Sequence, residues 1–241
     1  MFKKETTKTA IKNRPFILTE TVGYTATKPL RNKTKSGERV VSENFCSHGS
    51  IYKLYNNLYI WNEDKTKVYQ IDHVAIGWKN IYVVETKDVY GLPYYGSRTD
   101  EYWGIAESPN TVMFDVNFEK AGHWIKNPYQ QNQKHLEFIR ELCPGIPADR
   151  MHSLIVFHAD DFRYAPTAYG EPLEEGPTRA RIILSKNIHK ILDIDDSYEP
   201  WAPFTEMEIK SFTNFFDQFI YPDEEIKEKQ LALAKKMAST V

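Results

Sequence analysis

Cysteine is scarce in this sequence. The 241 residues include two cysteines, Cys46 and Cys143, and neither belongs to a CxxC pair. Disulfide frameworks and cysteine zinc sites both need several cysteines at characteristic spacings. The sequence therefore predicts neither kind of site, and it fits a reducing compartment best.

Long apolar runs are missing as well. A membrane-spanning helix needs about 20 consecutive apolar residues, and no run in the sequence approaches that length. The start of the chain, residues 1–7, lacks the apolar segment of a signal peptide. We therefore expect a cytoplasmic protein without a membrane segment.

The sequence also lacks a strong net charge, because its formal charge is −2 at pH 7. Basic residues nevertheless outnumber acidic ones before position 40. These basic residues are Lys3, Lys4, Lys8, Lys12, Arg14, Lys28, Arg31, Lys33, Lys35 and Arg39. The segment either lies along the phosphates of a nucleic acid or forms a solvated basic arm, and the pattern alone does not decide between the two. Lys33, Lys35 and Arg39 are the contacts predicted by the first alternative.

Strand and helix patterns alternate along the rest of the chain, which is long enough to bury one substantial core. Short apolar runs predict strands at residues 50–61, 68–76, 80–87, 111–118, 154–157 and 181–184. The stretch from 88 to 126 otherwise has the character of loops. Caps and apolar periodicity predict helices at residues 36–46 and 128–143, a third that opens with the capping box Thr205 to Glu208, and a fourth beyond Pro222. We therefore predict a single α/β domain.

The most informative segment is the predicted hairpin formed by the second and third strands. Its turn pairs Ile76 with Ile81, and counting outward from that pair places Asp72 opposite Glu85. Because side chains alternate along a strand, both carboxylates and Lys87 then share one face.

Two carboxylates at this spacing repel each other unless another group compensates. A divalent cation between Asp72 and Glu85 would do so, and oxygen ligands suit Mg²⁺ or Mn²⁺. Lys87 projects from the same face and could position or activate a water that attacks phosphorus. The simpler alternative is a cross-strand ion pair between Asp72 and Lys87 at an exposed end of the sheet.

Two helices carry polar residues that could reach the same site. Glu38 falls on the apolar face of the first helix and is expected to point towards the protein body, although a favourable interaction with the helix dipole explains it equally well. On the second helix, Gln131 and His135 extend the apolar stripe and should meet a polar site, where we expect His135 to contact nucleic acid. The alternative is that backbone groups at the margin of the core satisfy both side chains.

Four segments of the chain stand in a characteristic order. They are Gly37-Glu38, Gln70-Ile71-Asp72-His73, Glu85-Thr86-Lys87 followed by Gly91, and the run from Asn127-Pro128 through Gln131 to His135. Together they resemble the nuclease-related domain family of the PD-(D/E)xK nuclease superfamily, over about residues 36–142. The stretch between Gly91 and Asn127 is longer and more aromatic than the family pattern, which leaves the substrate-facing loops open.

The resemblance implies a fold and a role for each matching residue. The implied fold is restriction-endonuclease-like, with a mixed sheet flanked by helices. Asp72 and Glu85 would hold Mg²⁺ or Mn²⁺, and Lys87 would be the catalytic lysine. Glu38 would support the metal or the lysine, and Gln131 would line the site.

Taken together, these patterns predict a metal-dependent nuclease that acts on DNA, with RNA as an alternative substrate. The nuclease-related domain is expected over residues 36–221, between a basic extension at residues 1–35 and an amphipathic helix at residues 222–241. Partner chains or a homo-oligomer are plausible, as in a defence or DNA-processing system. The competing functions are a catalytically silent nucleic-acid-binding or assembly subunit and a hydrolase of small nucleotides. An ATPase is disfavoured because the sequence has no GxxxxGK[ST] loop.

Overall fold

The computed structural model of the protein describes residues 20–22, 37–87, 94–96, 98–106, 121–158, 164–166, 180–198 and 200–238. The predicted strand at residues 111–118 and the basic residues Lys33 and Lys35 lie outside these ranges. No helix within them is long and apolar enough to cross a membrane.

Ten strands and five α-helices lie within the described ranges. The strands are β1 (Glu20–Val22), β2 (Ile51–Trp61), β3 (Val68–Gly77), β4 (Ile81–Lys87), β5 (Tyr94–Gly96), β6 (Tyr102–Ala106), β7 (Ala121–Lys126), β8 (Met151–Phe157), β9 (Tyr164–Pro166) and β10 (Ala180–Leu184). The helices are α1 (Gly37–Cys46), α2 (Pro128–Leu142), α3 (Ile188–Tyr198), α4 (Glu206–Asp217) and α5 (Glu224–Ala238).

The larger of two sheets has the strand order β1-β2-β3-β4-β8-β10. β2, β3 and β4 form the predicted antiparallel meander, because short turns connect them. β8 runs parallel to β4, and α2 lies in the crossover between them. β1 runs parallel to β2 and falls within the stretch that the sequence analysis assigns to a basic extension.

Helices cover both faces of this sheet because its strands carry apolar side chains on both sides. In β4, Ile81 and Val83 belong to one apolar cluster, whereas Tyr82 and Val84 belong to another. The first cluster includes residues of α2 and α4, and the second includes residues of α1 and α3. The predicted mixed sheet flanked by helices is therefore confirmed.

A smaller sheet has the order β7-β6-β5-β9, and its strands β5, β6 and β7 lie in the stretch that is predicted to consist of loops. That prediction is wrong for residues 94–96, 102–106 and 121–126, which form strands of three to six residues. Trp103 of β6 is buried in one cluster with Ile155 and Phe157 of β8. The smaller sheet therefore packs onto the larger one at β8.

Helix ends follow the polar caps that the sequence indicates. The side chain of Asn127 accepts hydrogen bonds from the first backbone amides of α2, and Thr205 and Glu208 form the predicted capping box of α4. α5 begins just beyond Pro222, as predicted. α3 is an element that the sequence patterns do not predict.

Candidate functional site

The β3–β4 hairpin has the predicted register. Its paired residues run from Ile76 and Ile81 outward to His73 and Val84. The backbone amide of Gly77 donates to the carbonyl of Asn80 across the turn (2.8 Å). One step further along the same register lie Asp72 and Glu85.

Side chains do not alternate strictly through Asp72, and the prediction that they do is wrong. Ile71 and Val74 belong to the same apolar cluster, so two residues separate them instead of one. The neighbouring strand β2 changes phase at the same level, because Tyr55 and Leu58 both belong to that cluster and Asn57 between them has a φ of 54°. Asparagine tolerates this left-handed conformation better than most residues. The change of phase places Asp72 at an irregular point of the sheet.

The carboxylate of Asp72 lies against β4. Its Oδ2 accepts a hydrogen bond from the backbone amide of Thr86 (2.7 Å). Burial and the nearby charge of Glu85 raise the pKa of Asp72 to about 7, whereas Thr86 and Lys87 act in the opposite direction. Asp72 is half-buried. Two carboxylates therefore share a region of low polarity, where a bound cation would stabilise their charged forms.

Glu85 is the most deeply buried acidic residue of this group, at 3% exposure. Burial raises its pKa, while Lys87 and Gln131 lower it. Lys87 Nζ donates to Glu85 Oε1 (2.5 Å) and to Gln131 Oε1 (3.5 Å). The lysine thus connects β4 to α2 at the level of both carboxylates.

Helix α2 meets the site with the face that the sequence predicts, but His135 does not lie on the surface. It is 3% exposed, and its Nδ1 lies 4.0 Å from Glu85 Oε2. Burial and, to a smaller extent, Lys87 lower the pKa of His135 to about 3, so that the ring is neutral. The prediction that His135 contacts nucleic acid is therefore wrong, because the core around Glu85 encloses it.

The start of α1 lies at the margin of the site. Glu38 is exposed, so it is not buried against the protein body as its place on the apolar face suggests. Its position on the first turn leaves it in solvent, yet its charge still acts to raise the pKa of Glu85. Arg39 is exposed next to it and pairs with Glu43 (3.0 Å).

The smaller sheet stands beside these residues, and the sequence patterns do not predict it. Glu85 pairs with Ile155 and Lys87 pairs with Phe157 in the parallel register of β4 and β8. Because paired residues share a face, Trp103 covers the two β8 residues on the side that carries Glu85 and Lys87. Aromatic residues spaced along a stretch of 35 residues were the available signal, but they do not specify strands this short.

The donor atoms of the site fit a hard divalent cation. Asp72 and Glu85 offer carboxylate oxygens, which Mg²⁺ and Mn²⁺ prefer. Across the described residues, no group of three or more His, Cys, Asp or Glu side chains could hold a metal. The protein would therefore supply two carboxylates, and water or a substrate phosphate would complete the coordination, as is common for Mg²⁺.

Comparison with known protein families gives a match. The sequence model of a family described as nuclease-related domain matches residues 33–158, just over half of the chain. The match includes Glu38, Asp72, Glu85, Lys87 and Gln131. Searches of curated proteins and of solved structures return no match.

Proposed function

Because the chain belongs to the nuclease-related domain family, we propose that it is a metal-dependent nuclease that hydrolyses phosphodiester bonds in DNA. The observation that carries the proposal is the position of Lys87, whose Nζ contacts Glu85 Oε1 and Gln131 Oε1. The charges of Lys87 and Glu85 both act on the half-buried Asp72. Carboxylate oxygens and one ammonium group at the same point are what metal-assisted attack on phosphorus needs.

The proposed roles follow from these contacts. A bound Mg²⁺ or Mn²⁺ would polarise a phosphoryl oxygen and lower the pKa of a coordinated water. Asp72 and Glu85 hold the ion, and Lys87 positions the attacking water and offsets negative charge that develops on phosphorus. Gln131 keeps the lysine in place from α2. Glu38 acts from the margin through its charge.

The main competing function is a nucleic-acid-binding or assembly subunit without catalysis. Such a subunit has no need to bury a carboxylate beside a second one, because their repulsion destabilises the fold. The pKa of Asp72, raised to about 7, reflects that cost. We therefore favour the enzyme over the silent subunit.

A cleavage assay separates these functions. Purified protein is incubated with supercoiled plasmid, linear duplex, single-stranded DNA and RNA, each with Mg²⁺, Mn²⁺ or EDTA. We expect cleavage of DNA with either ion and none with EDTA or in Glu85→Gln. Lys134→Ala is the control, because Lys134 is exposed and lies one turn after Gln131 on α2. Binding of DNA without cleavage by any metal would identify a binding subunit instead.

A further inference from the structure

Two buried polar atoms, one on Glu85 and one on His135, lie close to each other. His135 Nδ1 lies 4.0 Å from Glu85 Oε2, and neither atom makes a hydrogen bond of ordinary geometry within the described ranges. Both residues are 3% exposed. Buried polar groups almost always have a partner, because leaving them without one costs free energy. The pair therefore indicates that a small polar molecule joins the two atoms.

The distance fits one bridging water molecule. A separation of 4.0 Å is too long for a direct hydrogen bond. Two hydrogen bonds of about 2.8 Å to one water oxygen span roughly 4–4.5 Å. A metal shared by these two atoms fits less well, because two metal bonds of about 2.1 Å at tetrahedral or octahedral angles bring their ligand atoms to roughly 3–3.4 Å.

We propose that His135 is a positioning residue that holds Glu85 Oε2 through one shared water, with the ring proton on Nδ1. In this tautomer the N–H end of the ring dipole points towards the carboxylate, which stabilises the anion. The catalytic consequence rests on the proposed nuclease function, whereas the hydrogen-bond arrangement does not.

The arrangement fixes both oxygens of Glu85. Lys87 holds Oε1, and His135 holds Oε2 from the adjacent helix. Each carboxylate oxygen accepts more than one hydrogen bond or metal contact, so both keep capacity for an ion. His135 thus orients a metal ligand without touching the substrate, as partners of metal ligands commonly do.

The hydrogen-bond arrangement can be tested in the metal-free protein. Nitrogen-15 NMR of the imidazoles, assigned through His135→Leu, should show the His135 proton on Nδ1. Glu85→Gln should shift that resonance. Phe138→Leu should not, and it is a matched control because Phe138 and His135 both pack against Tyr69. A proton on Nε2, or a resonance that Glu85→Gln leaves unmoved, would overturn the proposal whether or not the protein is a nuclease.

The positioning role can be tested with substitutions that keep or remove the donor. Asparagine places an amide N–H close to the position of Nδ1, glutamine places it nearer that of Nε2, and leucine has neither. Calorimetric titration with Mn²⁺ should show affinity reduced about tenfold or more in His135→Leu and His135→Gln. His135→Asn should recover most of the loss, and Phe138→Leu should match wild type, after circular dichroism confirms folding. Equal affinities for the Asn and Gln variants would overturn the role. Failure of wild type to cleave any DNA would remove the proposed function but not this comparison.

Discussion

Lys87 contacts a carboxylate on its own strand and an amide on the neighbouring helix. Its charge matters most where negative charge develops during the reaction. We expect Lys87→Ala to lower kcat by about 10²-fold or more while metal and substrate affinity change little. Lys87→Arg should not restore the rate, because guanidinium is larger, planar and effectively never deprotonated.

The measurement for Lys87 is single-turnover cleavage at saturating Mg²⁺, after circular dichroism confirms that each variant folds. Lys134→Ala serves as the control for loss of one positive charge from the same region. The alternative reading, a surface ion pair, predicts almost no kinetic effect from either Lys87 substitution. Wild-type rates in both variants would therefore show that Lys87 is not catalytic.

Asp72 links function to a cost in stability. Its pKa is raised to about 7 in the folded metal-free protein, so the folded state binds the proton more tightly than the unfolded chain does. Stability should then fall as pH rises from about 4 to 7. Asp72→Asn should raise the Tm of the metal-free protein at pH 8 by roughly 2–4 °C or more, with no gain at pH 3.

A second substitution at the same position, Asp72→Ala, tests the metal site directly. Calorimetric titration of Mn²⁺ into wild type and Asp72→Ala should show binding in the first and little in the second. Equal affinity in both proteins would remove Asp72 from the site. A higher Tm for the metal-free Asn variant, together with lost metal binding, is the expected combination for a ligand that is strained without its ion.

Asp195 of α3 forms a buried charged group on the opposite face of the sheet. Arg181 donates to its Oδ1 (2.7 Å), Tyr82 donates to its Oδ2 (3.2 Å), and His152 Nδ1 lies 3.4 Å from Oδ2. Burial alone would raise the pKa of Asp195, but His152 and Arg181 outweigh it and lower the pKa. Asp195→Asn should therefore leave Arg181 without its charge partner and destabilise the protein by about 3–5 kcal/mol.

Urea denaturation at pH 7 measures that loss. Because the folded pKa of Asp195 is below the unfolded value near 3.8, its contribution is complete above that value and is lost as pH falls below it. The difference between wild type and Asp195→Asn should shrink accordingly in acid. Asp193→Asn, an exposed position of the same helix, is the control. A pH-independent difference would mean that packing, not charge, explains the effect.

At the scale of elements, Asn127 joins α2 to the loop before β6. Its Oδ1 accepts from the amides of Tyr129 and Gln130, and its Nδ2 donates to the carbonyls of Arg98 and Asp100. Two functions of one amide can be separated by substitution. Asn127→Ala removes both, whereas Asn127→Asp keeps the helix cap and loses the donor.

Thermal unfolding should rank the Asn127 variants. We expect Asn127→Ala to lose about 2 kcal/mol or more, because a missing N-cap alone costs about 1 kcal/mol and two carbonyls also lose a donor. Asn127→Asp should lie between Ala and wild type. Equal stabilities of Asp and wild type would show that the contact with the loop contributes nothing.

Elements with strong local signals were predictable from the sequence. The turn after Gly77 set the hairpin register, and Asn127 and Thr205 marked helix starts, because their side chains act on neighbouring backbone groups. The phase shift at Asn57 carries no such signal, since asparagine is common in ordinary turns and loops. α3 was missed because the chain enters it from β10 through a short 3₁₀ turn without a capping side chain.

In the site as well, local patterns could be predicted from the sequence, whereas burial could not. Periodicity placed Gln131 and His135 on the face of α2 that meets Glu85, because a helix repeats every 3.6 residues whatever surrounds it. It could not tell whether a polar residue ends in solvent or in the core. Glu38 therefore came out exposed and His135 buried, the reverse of the expected order. Burial depends on which elements pack together, and that is tertiary information.

At the scale of the whole molecule, charge is spread unevenly over a protein that is close to neutral. That the basic segment before position 40 contacts DNA remains a prediction, because Lys33 and Lys35 lie outside the described residues. Counterion release makes phosphate contacts sensitive to salt. Replacing both lysines with glutamine should therefore flatten the slope of log affinity against log salt, while the rate of cleavage at saturating substrate stays the same. An unchanged slope would remove them from the interface.

Strand β1 lies within that segment and covers one edge of the larger sheet. It pairs with Lys53, Leu54 and Tyr55, and so occupies the outer edge of β2, which is eleven residues long. An unpaired edge offers its backbone groups to any other extended chain. A protein shortened past Val22 should therefore self-associate as its concentration rises, which analytical ultracentrifugation would detect. Weaker DNA binding by a truncated protein would then report oligomer formation as well as lost charge, and a purification tag is better placed at the other terminus.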